Sequence, residues 1–212
     1  GSPDSQPMAG RRRHGPGGRP ALRTPPLNPV ARGAWGLALA LAGLNVLSFV
    51  DRQLIVTQAP LLMADLELSR AQIGLLIGVS FMSAYAVLIL VLGAAADRFS
   101  RPRLIAAGLL VWSLATALSA AASSFLHLAV LRLVVGVGEA ALPATALAML
   151  ADRFPPARLG LAHAVFYAGI PIGYAISFAL AGGIGSRLGW RACFLALGVF
   201  GLVAVAGALA LP

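Results

Sequence analysis

Residues 71–96 read AQIGLLIGVSFMSAYAVLILVLGAAA, a run without one Asp, Glu, Lys or Arg. At 1.5 Å per helical residue it is long enough to cross a bilayer core of roughly 30 Å, which takes about 20 residues. The run lacks the alternation of apolar and polar residues expected of a barrel strand, so it reads as a helix. Working outward, charge-free runs recur at 33–50, 104–131, 159–186 and 192–212. Charges act as punctuation between them. Helices are expected near 32–60, 71–96, 102–123, 126–152, 157–185 and 190–211, which makes six spans in an all-α membrane domain over 31–212.

Composition agrees. Residues of the AVILMFWYC set make up 59% of the 212 and charged residues 11%, against roughly half and a quarter in a soluble domain. So few charges could not cover the surface of a water-soluble globule. Soluble enzyme, disulfide scaffold and disordered chain are all poor readings. The single cysteine, Cys193, allows no intrachain disulfide.

The net charge of +9 comes from 16 basic and 7 acidic residues, and it invites a nucleic-acid reading. The placement of the charges argues against it. Every basic residue is Arg, most lie in an N-terminal tail or in short turns, and no basic groove carries interleaved aromatics. Placing the tail inside gives the inner segments Arg11, Arg12, Arg13, Arg19, Arg23, Arg32, Arg98, Arg101, Arg103, Arg153 and Arg158. The outer loops hold only Arg70, Arg187 and Arg191. That bias puts both termini in the cytoplasm, of a bacterial inner membrane by expectation.

Residues 1–30 form a separate segment. It holds half of the prolines and almost no large apolar residues, so it is expected to be a disordered basic tail. Met8 is a candidate start.

The chain echoes itself. Ala96-Asp97-Arg98-Phe99 with Arg103-Leu104 recurs as Ala151-Asp152-Arg153-Phe154 with Arg158-Leu159. Both copies fall in inner turns, with proline just before the next helix (Pro102; Pro155 and Pro156), where a missing N–H costs little. Two tight turns under similar demands could also converge on these residues.

Four charges fall inside expected spans: Asp51 and Arg52 on the first, Arg132 and Glu139 on the fourth. A charge at the bilayer centre costs at least about 2.5–3.5 kcal/mol. These four must therefore face water, one another or a ligand. Arg132 and Glu139 stand two helical turns apart on one face, and Asn45, Ser48 and Arg52 form a polar stripe on the first helix. Asp51 is the natural partner for one of the arginines. Two readings follow. Either Asp51 or Glu139 exchanges a proton while the arginines hold its charged form or an anionic substrate, or the set is a permanent ion-pair lock.

Small residues at Gly74 and Gly78, Gly136 and Gly138, and Gly169 and Gly173 are expected to let helices approach closely. Pro171 should weaken the fifth helix locally. That helix also carries His163, Tyr167, Tyr174 and Phe178. Tyr167 and Tyr174, with Asn45 and Ser48, are candidate pocket lining, although such a stripe is more often packing. No HExxH, GxSxG, CxxC or carboxylate–histidine cluster with ligand spacing is present, so neither an enzyme, a metal nor a cofactor is expected.

At this point the residues resemble the major facilitator superfamily. Gly93-Ala94-Ala95-Ala96-Asp97-Arg98-Phe99-Ser100-Arg101 is similar to the signature of that family's turn between helices two and three, with Ser100 in place of the usual Gly and Pro102 interrupting the basic pair. Arg132 with Gly136-Val137-Gly138-Glu139-Ala140 resembles the fourth-helix motif. Asn45-Val46-Leu47-Ser48-Phe49-Val50-Asp51-Arg52 resembles the first helix of the spinster-like branch, and the anion:cation symporter branch has a similar Asp-Arg pair. The matches run from about Asn45 to the end.

The resemblance implies a secondary transporter that works by alternating access, usually coupled to protons. It implies a cytoplasmic gate of Gly93, Asp97, Arg98 and Arg101, which the echo extends to Asp152 and Arg153. It also places Asp51, Arg52, Arg132 and Glu139 on the coupling or substrate pathway. Family members usually have two six-helix halves with the substrate between them, and this chain ends after its sixth expected span. The expectation is therefore the N-terminal half of a transporter for a small or amphipathic organic solute, with a C-terminal half or a second chain as partner. The alternative is a membrane module that transports nothing and uses its buried charges for assembly.

Overall fold

The computed structural model describes Gly1 and residues 32–95 and 99–211, all helix and short turns with no strand among them. The expected tail over 1–30 and the turn residues Asp97 and Arg98 lie outside the described residues.

Six spans are present. The first is α1 (Arg32–Thr57), followed by a short outer helix α2 (Ala59–Asp65) that restarts at Pro60. The second is broken into α3 (Arg70–Ile77) and α4 (Val79–Ala95), and the third is α5 (Arg101–Ser119). The fourth comprises α6 (Phe125–Glu139) and α7 (Ala141–Arg153). The fifth comprises α8 (Pro156–Tyr167), α9 (Gly169–Leu180) and a π-helical turn at Ala181–Gly185. The sixth is α10 (Ser186–Leu209).

Sequence signals set the boundaries. Ser69 caps α3 through a reciprocal capping box with Gln72, whose backbone N–H it receives while Gln72 Oε1 accepts from the Ser69 N–H. Ser124 accepts from the His127 N–H at the start of α6. Pro102 and Pro156 sit in the first turns of α5 and α8, where no intrahelical donor is needed.

Helix follows helix from Pro156 to Leu209, 54 residues, about 81 Å if straight. It is not straight. Gly189 has φ 82° and ψ 171°, a conformation open to glycine and strained for other residues. Cys193 Sγ lies 3.7 Å from the Leu180 carbonyl, a separation along a straight helix of about 20 Å. The chain doubles back at Gly189, and the stretch counts as two spans.

The first span packs against α7, α8 and α9; α5 packs against α6 and α10; α4 packs against α6 and α7. Backbones touch at the crossings. A Cβ on Gly138 would stand 2.6 Å from the Gly108 carbonyl oxygen, and one on Gly173 would stand 2.7 Å from Phe49 Cβ. Glycine is needed at both. Among the described residues the seam expected through Gly74 and Gly78 does not form: none of them lies within 4 Å of a Cβ on Gly74, and the neighbour of Gly78 is the Gly74 carbonyl of its own span. The second span is the least covered, with Val79, Met82, Val87, Leu90 and Val91 between 52% and 77% exposed.

Candidate functional site

The four intramembrane charges meet. Asp51 and Arg52 are adjacent on α1 and so point about 100° apart around its axis. Asp51 turns toward α5 and α6, where Arg132 Nη1 donates to its Oδ1 at 3.1 Å and Thr116 Oγ1 donates to its Oδ2. Arg52 turns toward the end of α6, where its Nε donates to Glu139 Oε2 at 2.6 Å. Ser48, one turn back on α1, donates to the same oxygen at 2.9 Å. The group holds two cations and two anions, and its formal charge is zero.

Burial sharpens the electrostatics. Asp51, Arg132 and Glu139 are at most 2% exposed, whereas the Arg52 side chain is 17% exposed. Charges removed from water need near-complete pairing to persist. Here the pairing is incomplete, because Glu139 Oε1 and Arg132 Nε are buried without a partner among the described residues. The break between α6 and α7 follows directly after Glu139. Pro143 has no N–H to give the Glu139 carbonyl four residues earlier, so the span is interrupted where its carboxylate must turn inward.

Arg52 lies beneath a cleft of about 250 Å³ whose wall includes Asn45, Ser48, Arg52, Tyr85, Leu147 and Tyr167. Asn45 Nδ2 also donates to the Phe166 carbonyl at 2.9 Å, close to where α8 gives way to α9. Tyr174 stands outside this wall and packs against the Phe49 ring at 5.9 Å. Aromatic faces surround the Arg52 guanidinium: Phe49 and Phe81 at 4.9 Å and Tyr85 at 4.5 Å from its carbon. Neither Phe81, Tyr85 nor Thr116 stood out in the sequence, since an aromatic or a threonine in an apolar run looks like ordinary packing.

At one end of the bundle Arg101, opening α5, donates to Asp152 at the end of α7. The arginine of one echoed turn therefore binds the aspartate of the other. Arg153 is exposed beside them, and Gly93 lies in α4. His127 is exposed near the outer end of the fourth span, and His163 Nε2 is buried without a partner in α8. At the outer end Trp190 Nε1 donates to Asp65 at 3.1 Å, and Arg191 donates both to Asp65 and, at 3.2 Å, to the Ala122 carbonyl. No group of three or more His, Cys, Asp or Glu able to hold a metal occurs among the described residues.

Comparison with known proteins places this geometry in context. A family model described as Major Facilitator Superfamily matches residues 41–212. A hexuronate transporter of Bacillus subtilis (strain 168) is 34% identical over 167 residues, which cover 79% of this chain and 39% of that protein. Protein spinster of Drosophila melanogaster is 30% identical over 202 residues, covering 92% of this chain and 33% of that protein. Among solved structures, a bacterial homologue of the human lysosomal transporter Spinster, inward-facing and occupied, superposes with a TM-score of 0.76 at 28% identity. That match covers 84% of this chain and 44% of the other. The chain spans between a third and two-fifths of the length of these curated relatives.

Proposed function

The chain belongs to the Major Facilitator Superfamily, and from that premise we propose that it forms the N-terminal half of a proton-coupled secondary transporter for a small or amphipathic organic solute with an anionic group. The observation that carries this reading is the buried, formally neutral group of Asp51, Arg52, Arg132 and Glu139 under the cleft beside Arg52. A proton on Glu139 leaves the group with a charge of +1 and frees Arg52 to meet an anionic group from the cleft. An anion there restores neutrality, so the binding of proton and solute are linked by charge alone.

The names of relatives support the solute class. Hexuronate, sulfoacetate and L-galactonate transporters are among them, and so are sphingolipid transporters of the spinster type. Asn45, Tyr85 and Tyr167 supply polar contacts around Arg52 for the rest of such a solute. Alternating access requires a second six-helix unit, from the same gene product or another chain, across the poorly covered second span. Arg101, Asp152 and Arg153, with Gly93, Asp97 and Arg98, then form the gate on the cytoplasmic side. Both termini of this half face the cytoplasm across the inner membrane, in line with the arginine bias.

The test is reconstitution of the complete gene product in proteoliposomes with an imposed pH gradient and a panel of hexonates, hexuronates, sulfonates and lysolipids. Solute-dependent proton movement is the expected result. A folded protein that moves protons with none of them would favour the ion-pair lock.

A further inference from the structure

Among the described residues one aromatic side chain contacts both Arg52 and Arg132. The Phe81 ring centroid lies 4.9 Å from the guanidinium carbon of Arg52 and 5.1 Å from that of Arg132. Phe81 is 2% exposed and sits in the first turn of α4, just past the break at Gly78. Arg52 has two further rings against it, Phe49 and Tyr85, whereas Phe81 is the only ring against Arg132 among the described residues. The ring is fixed from both ends. Tyr85 stacks on it at 5.5 Å and 22°. Its backbone presses on α6 at Gly136, where a Cβ would stand 2.6 Å from the Phe81 carbonyl oxygen.

We infer that Phe81 is a positioning residue that links the two ion pairs, so that the state of Arg52–Glu139 is felt at Arg132–Asp51. The inference rests on the proposed function for its role in transport, but not for its test. Two guanidinium groups of like charge share the π system of one rigid ring, whose faces attract cations. The ring holds a compromise position between them in a site from which water is largely excluded. When Arg52 lets go of Glu139, its pull on the ring changes, and so does the contact that orients Arg132 toward Asp51. The linked elements come from three spans: α1 supplies Asp51 and Arg52, α6 supplies Arg132 and Glu139, and α4 supplies the ring between them. The second span is thus tied energetically to the charges although it contributes none of them.

The experiment is a set of double-mutant cycles on the complete gene product in detergent, read as thermal unfolding midpoints. E139Q, D51N and their combination are measured with Phe81 intact, in F81L, and in F81Y, which keeps the π face. With Phe81 intact the double variant should depart from the sum of the single shifts by about 2 °C or more. That departure should vanish in F81L and return in F81Y. Should F81L fail to fold, F81M, close to it in volume and also without a π face, takes its place. Additive shifts with Phe81 intact would overturn the inference. So would a departure that persists in F81L, which would mean direct interaction of the carboxylates, or one lost equally in F81L and F81Y, which would mean packing alone. If the reconstituted protein moves no solute while the cycle collapses in F81L, the transport reading fails and this one stands.

Discussion

Arg132 Nη1 donates to Asp51 Oδ1 at 3.1 Å, with both side chains only 2% exposed. Breaking a buried pair from one side strands a charge and costs about 3–5 kcal/mol, more than the pair itself contributes over an apolar substitute. D51N and R132M should each lower the unfolding midpoint of the purified protein sharply, and the double variant D51N/R132M should recover much of the loss. Thermal unfolding in detergent measures all three. A D51N loss below about 1 kcal/mol would mean that Arg132 finds another acceptor, and that this pair does not lock α1 to α6.

Glu139 differs from Asp51 in keeping one oxygen, Oε1, without a partner while Ser48 and Arg52 share the other. E139Q preserves the shape and the acceptor for both donors but removes the site for an exchangeable proton. The expected outcome is loss of pH-driven uptake, with expression near wild type and a smaller loss of detergent stability than in D51N, because the Arg52 left behind is 17% exposed where Arg132 is 2%. Uptake assays with and without a pH gradient check it. Pumping with wild-type pH dependence in E139Q would take Glu139 out of the mechanism.

The Arg101–Asp152 pair joins the third and fourth spans at the end proposed to face the cytoplasm, and Asp152 is 62% exposed. Exposed pairs contribute about 0–1 kcal/mol, so D152N should barely change stability. A gate poised between two conformations responds to such a difference by up to about fivefold in population. D152N should therefore raise the rate at which an Ala144→Cys probe, at a residue that also lines the cleft, is labelled from the side proposed to be cytoplasmic, and the swap R101D/D152R should bring it back. Equal labelling in all three proteins would leave the pair a surface contact without a gating role.

The spans were legible because bilayer thickness is a one-dimensional constraint: charge-free runs of sufficient length sit on α1, α4, α5 and α10. Rotation about each axis is different. The Asn45–Ser48–Arg52 stripe follows from helical spacing, yet spacing could not say that Arg52 chooses Glu139 while Asp51 chooses Arg132. That choice depends on how the spans are turned against one another, and the glycines at their crossings (Gly138 against Gly108 of α5, Gly136 against Phe81 of α4) look alike in sequence to Gly74, where an added Cβ would meet no described atom within 4 Å. The break after Glu139 was hidden for a related reason. Pro143 lies in the run that the hydropathy reads as one uninterrupted helix, and its effect falls four residues earlier, on a carbonyl rather than on itself. Phe81 and Tyr85 carry no charge, so nothing in an apolar run distinguishes them from lipid-facing aromatics until the arginines are placed.

The outer end offers a prediction with a definite sign in pH. Hydrogen bonds from Arg191 and then Trp190 hold the Asp65 carboxyl below the usual carboxylate range. In the unfolded chain that group takes up its proton near pH 4, whereas in the folded protein it stays ionised to lower pH. The stabilisation from this clasp is thus complete above about pH 5 and is lost as pH falls through the depressed folded value. D65N should lower the unfolding midpoint modestly at pH 7 and flatten its decline on the acid side, so that variant and wild type converge as pH falls through the depressed folded value. Because the Asp65 and Arg191 side chains are 44% and 45% exposed, added salt should narrow the gap at pH 7 as well. Unfolding midpoints across pH 3–8 at low and high salt decide it: curves for D65N and wild type that stay parallel over the whole range would show that Asp65 contributes packing rather than charge to the junction of α2 with α10.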